Sequence, residues 1–245
     1  MTSDVLVVDA LEARHGLLRA VRGIDLRLAE GERVALVGAN GAGKTTFLRA
    51  LAGIHPTHAG RVVFEGQDVT HVPAHRRCAM GIALVPEGRK LFTSMTVMEN
   101  LQVATSAGRT GHWQVDSVLD AFPQLKPKAR SLAGSLSGGQ QQAVAIGRAL
   151  MTNPRVLLLD EVSLGLSPAA VGGVYESLAA VVATRTPLVV VEQDLQRTFA
   201  FADRIVCLLE GRVVASGRAS EMTREEVMAH YFGQRMAHAD TEARA

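Results

Sequence analysis

The chain has 245 residues, with 26 Lys or Arg against 24 Asp or Glu, for a net charge of +2. That length suits one large domain, and the balanced charge argues against a broad electrostatic partner such as a nucleic acid. Aromatic residues make up only 4%, too few for a base-stacking surface. Cys78 and Cys207, the only two cysteines, have neither metal-ligand spacing nor a disulfide framework, and point to a reducing compartment. The opening MTSDVLVVDALEARHG lacks a basic segment followed by an apolar one, so no signal peptide is expected. No apolar run reaches bilayer length, so any membrane association is expected to be peripheral.

In chain order, β-branched runs predict strands at 5–9, 24–28 and 33–37. The third runs straight into Gly38-Ala39-Asn40-Gly41-Ala42-Gly43-Lys44-Thr45-Thr46, which fits G-x-x-x-x-G-K-[ST]. A helical pattern follows through Phe47, Leu48, Ala50 and Leu51 and stops at Gly53. Strand, loop and helix together are the context a phosphate loop needs. Its glycines let backbone N–H groups converge on phosphate oxygens, and the helix N-terminus adds positive potential. Lys44 is expected on the β- and γ-phosphates, and the Thr45 hydroxyl on Mg²⁺.

Further strands are predicted at 61–64 and 82–85. The stretch 88–150 has no convincing β run. It carries helical patterns at 97–104, 115–122 and 137–151, punctuated by Pro123, Pro127 and the glycines of 134–139. Strands at 156–159, 188–191 and 205–209 are apolar on both faces, the pattern of central parallel strands. A Glu210-Gly211 turn pairs 205–209 with 212–215 as a hairpin. The expected fold class is α/β, a P-loop NTPase (RecA-like) core with an antiparallel β flank and an inserted α-helical subdomain. The expected organisation is a single domain over 1–245, with core 1–87 and 151–233, helical subdomain 88–150 and a loose tail at 234–245.

The strand at 156–159 ends in Asp160-Glu161, at the carboxyl end of a buried parallel strand where α/β ligand sites form. Asp160 is expected to hold Mg²⁺, and Glu161 to polarise the water that attacks the γ-phosphate. Arg76, Arg77, Arg89 and Lys90 make no run long enough for a nucleic-acid patch and read as solvated charges.

Leu136-Ser137-Gly138-Gly139-Gln140-Gln141 resembles the LSGGQ signature of ATP-binding-cassette (ABC) ATPases. Ser137 is placed to cap the following helix, whose N-terminal amides and dipole attract an anion. The resemblance extends along nearly the whole chain. Ser163-Leu164-Gly165-Leu166 looks like the family's D-loop, 85–89 like its Q-loop, and Val191-Glu192-Gln193-Asp194 like its switch. It implies that ATP and Mg²⁺ bind, that two subunits sandwich two ATPs, and that Ser137, Gly138, Gly139 and Gln140 serve the nucleotide on the partner. His15 sits where an aromatic stacks on adenine, with Arg14 as a rival and a plain surface histidine as the alternative.

Three positions depart from the pattern. Glu87 replaces the usual glutamine, Gln193 the usual switch histidine, and Val162 the usual proline. Gln193 is expected to sense the γ-phosphate through a neutral amide. Glu87 is expected near Mg²⁺ or the attacking water, or else is a solvated hinge acid. Val162, lacking the fixed φ of proline, is expected to loosen the turn behind Glu161. VPEGR, VEQ and the stretch at 227–233 resemble the second ATPase of branched-chain amino-acid importers, with relatives for urea and amides. That implies membrane permease subunits docked near 88–105, a second ATPase subunit (paralogue or identical copy), and a periplasmic binding protein acting indirectly. The implied location is cytoplasmic, peripheral on the inner face of the cell membrane. The alternatives are a soluble ABC ATPase outside transport and a non-hydrolysing binding subunit.

Overall fold

A computed structural model describes residues 4–107 and 109–231. The tail expected at 234–245 lies outside them. The first strands, β1 (Asp4–His15) and β2 (Leu18–Ala29), form a hairpin longer than the apolar pattern predicts. Charged residues alternate with the buried Leu11, Ala13, Val21 and Ile24, so one face is solvated and one packed. Next come β3 (Arg33–Val37), α1 (Lys44–Leu51), β4 (Ala59–Phe64) and the two-residue β5 (Gln67–Asp68). They are followed by α2 (Ala74–Met80) and β6 (Ile82–Val85).

Then α3 (Val97–Val103), α4 (Val115–Ala121) and α5 (Gly138–Leu150) occupy the predicted helical stretch. The chain returns through β7 (Val156–Asp160), α6 (Pro168–Ala183), β8 (Leu188–Val191) and α7 (Leu195–Phe201). It ends with β9 (Arg204–Leu209), β10 (Arg212–Arg218) and α8 (Arg224–Tyr231). Glu210 and Gly211 both take positive φ, 48° and 79°, as the tight turn between β9 and β10 requires.

Two sheets result. One is antiparallel, in the order β2-β1-β4-β5; the other runs β10-β9-β3-β8-β7-β6. The second is parallel except for its β9–β10 hairpin. Its central strands are buried on both faces, and the period of two divides their side chains. Val156 and Leu158 of β7 face α1 and the antiparallel sheet, packing with Leu6, Leu28, Phe47 and Phe64. Leu157 and Leu159 face the helices, packing with Val97, Leu101, Ile146 and Leu178. This places the carboxyl ends of β3, β7 and β8 along one edge.

Arg77 corrects the sequence reading. It is not solvated but 2% exposed, and donates to the carbonyls of Ala50, Leu51, Thr70 and Val72. It therefore satisfies carbonyls that the end of α1 leaves open. Arg89 is also engaged, donating to Gln141 Oε1 at 3.0 Å. Among the described residues no helix is long and apolar enough to cross a membrane.

Candidate functional site

The loop 38–43 joins β3 to α1, and its backbone admits only glycine at two points. Gly38 (φ 150°) and Gly43 (φ 98°) are in the left-handed half of the map, and a Cβ on either would lie 2.2 Å from a carbonyl oxygen, of Leu208 and Ala20 respectively. Gly43 is also the N-cap of α1 and supplies no side-chain cap, so the helix N-terminus keeps donors for an incoming anion. Lys44, 4% exposed, folds back so that Nζ donates to the Gly38 and Ala39 carbonyls at 2.6 and 2.9 Å. Burial pulls its ammonium below the usual range, while Glu161 and Asp160 oppose that shift.

Asp160 is fully buried at the end of β7. Its Oδ1 accepts from the Thr45 hydroxyl at 2.9 Å. Its Oδ2 is buried without a hydrogen-bond partner. Burial pushes the Asp160 carboxyl up, and Glu161 and Glu87 add to this, while the Thr45 hydroxyl and Arg49 work against it. A hydroxyl beside an orphaned carboxylate oxygen is a hard, oxygen-only donor set, which fits Mg²⁺ shared with phosphate oxygens.

A cavity of about 440 Å³ opens over this loop. His15, Asn40, Gly41, Gly43, Lys44, Thr45, Thr46, Glu87, Glu161 and Gln193 all line it, so one edge of the fold gathers residues that lie far apart in sequence. Glu161 takes φ 49°, a strained turn that lifts it off the strand and into the cavity. Gln193 Nε2 reaches Asn40 Oδ1 at 3.5 Å. His15 is hydrogen-bonded to the Thr46 hydroxyl at 3.1 Å and packs on His55 at 4.5 Å between ring centroids. Ala42, 4% exposed, and Gly38 belong to the loop but are not among the residues lining the cavity.

Ser137, Gly138, Gly139 and Gln140 are not among the residues lining this cavity. Ser137 caps α5 in a full capping box: its hydroxyl accepts from Gln140 N, and Gln140 Oε1 accepts from Ser137 N. Val162 is 1% exposed and packs with the α5–α6 layer, so the turn behind Glu161 is anchored by apolar contact where proline would act through φ. Tyr175 and Ser163 are partners of Glu192, and His55 stands behind His15, none of them expected from the sequence. Only the motif around Glu192 hinted at the first; nothing local signalled the others.

A family model described as ABC transporter matches residues 21–163. The chain belongs to the ABC transporter family. It is the family's ATPase component. It is 37% identical over 232 residues to the high-affinity branched-chain amino acid transport ATP-binding protein BraG of Pseudomonas aeruginosa, covering 94% of this chain and 100% of that one. BraF of the same organism, with the same description, is 30% identical over 260 residues, covering 96% of this chain and 100% of BraF. The fold superposes with a TM-score of 0.80 on the ADP conformation of an ATP-binding cassette of an ABC transporter, at 25% identity, covering 94% of this chain and 96% of that one.

Proposed function

We propose that this ABC ATPase energises an importer of branched-chain or chemically related amino acids, paired with a paralogous ATPase subunit. The carrying observation is the relatedness to BraG and BraF, two full-length proteins of one organism, both described as branched-chain amino acid transport ATP-binding proteins. Urea or short amides are the second substrate reading, resting on the same VEQ and VPEGR motifs. The subunit works from the inner face of the membrane against permease subunits, with a periplasmic binding protein delivering the solute.

Within the site, Lys44 and the loop amides of Gly38 to Thr46 hold the phosphates. Thr45 and Asp160 would hold Mg²⁺, with Glu87 lining the same cavity; the bound ion would supply charge neutralisation for phosphoryl transfer. Glu161 orients the attacking water, Gln193 reads the γ-phosphate, and His15 packs on the base. Ser137 to Gln140 close over the nucleotide of the second subunit, so one subunit binds ATP and two hydrolyse it. Residues 88–150 form the subdomain that passes this closure to the permease. Reconstitution with the permease and paired ATPase in vesicles tests the substrate class. ATP-dependent leucine uptake supports the reading, and uptake of urea or of sugars without leucine contradicts it.

A further inference from the structure

Glu192 lies on the switch segment next to Gln193, yet it faces inward and is 2% exposed. Its carboxylate gathers three separate parts of the fold. The Ser163 hydroxyl lies 2.8 and 2.9 Å from its two oxygens, the Tyr175 hydroxyl of α6 donates to Oε2 at 2.6 Å, and the backbone amides of Gln193 and Asp194 donate to Oε1 at 2.9 and 3.2 Å. Burial and the adjacent carboxylate push the Tyr175 phenol well up, so it stays a donor. Every one of these donors is neutral. A buried carboxylate held this way is poor as a source of stability and well suited to fixing geometry.

Ser163 is two residues beyond Glu161, whose carbonyl accepts from Leu164 N at 3.2 Å. Asp194 continues the segment as the N-cap of α7, accepting from the Gln196 and Arg197 amides. Glu192 is thus the shared anchor of the two neighbouring loops, after β7 and β8, that bring Glu161 and Gln193 to the cavity. We propose that Glu192 is a positioning residue for ATP hydrolysis, setting the placement of Gln193 relative to Glu161. This rests on the roles given to those two residues above.

The test is steady-state ATP hydrolysis by the full chain assembled with its paired ATPase subunit and the permease in vesicles. Ser163→Ala and Tyr175→Phe each remove one anchor and leave the carboxylate in place. Each should lower kcat about tenfold or more with KM for ATP within about twofold, since small misplacements of reacting groups are costly. In a Gln193→Ala background the same substitutions should lower kcat less than about twofold. Folding is followed by thermal melting, and Glu192→Gln serves as the variant that keeps size while losing charge. Unchanged kcat for Ser163→Ala and Tyr175→Phe overturns the proposal, as does an equal loss in both backgrounds. A native kcat for Gln193→Ala alone instead overturns the role given to Gln193, so the two failures are separable.

Discussion

The helix that opens at Lys44 and the helix that opens at Gly138 both present an N-terminus suited to an anion, but they are finished in opposite ways. The first has a left-handed glycine as N-cap and no side-chain cap. Its loop is clamped by Lys44 on two carbonyls and roofed by Gln193, Glu161 and Glu87. The second caps itself with Ser137 and Gln140, and with Gly139 these line a separate cavity of about 520 Å³ that holds none of the phosphate-loop residues. An uncapped N-terminus with a buried lysine beside it can bind phosphate within one subunit. A self-capped one is satisfied without a ligand and lacks such a cation in its own cavity. The contrast is the physical argument for a site divided between two subunits.

The largest effects should come from the phosphate-loop half. Gly43→Ala puts a Cβ 2.2 Å from Ala20 O, and nucleotide binding measured by equilibrium titration should be lost. Glu161→Gln should lower kcat on the order of 10²–10³-fold with ATP affinity retained, as removal of one positioning group typically does. Survival of turnover in that variant would break the assignment of the water-orienting group.

Asp160→Asn has a smaller effect on stability, of definite sign. Burial raises the Asp160 carboxyl in the folded chain, so the folded state holds its proton to higher pH than the unfolded one. Stability of the nucleotide-free chain therefore falls as pH rises from the ordinary carboxylate value to the raised one. Asp160→Asn should raise the melting temperature by about 2–4 °C above that window. The gain should vanish below it, and Mg²⁺-dependent nucleotide affinity should be lost as well. A melting temperature unchanged at neutral pH would show that the orphaned oxygen carries no strain.

Much of this site was legible because its parts are short and contiguous. The loop 38–46 and the pair Asp160-Glu161 each carry their strand context beside them. The capping box at Ser137 and Gln140 is likewise local. What sequence did not reveal is made by long-range approach. Arg77 reads as one of several surface cations until α1 ends against it. The partnership of Ser163, Tyr175 and Glu192 exists only after β7, α6 and β8 are placed side by side. The length of β1 and β2 was hidden by charged residues that one solvated sheet face tolerates.

The smallest expected effect belongs to the base contact. His15→Ala should weaken ATP affinity by about 1 kcal/mol, the scale of one aromatic contact, with kcat unchanged. A drop in kcat would assign His15, through its bond to Thr46, to the phosphate side of the site.

The division between the two helix N-termini is tested most directly by MgATP affinity in the dilute, monomeric chain. With Lys44→Ala, affinity should fall at least about tenfold. With Ser137→Arg it should stay within about twofold of the native value. An equal loss in both variants would mean that the signature helix serves its own subunit's nucleotide, and the divided site would be wrong.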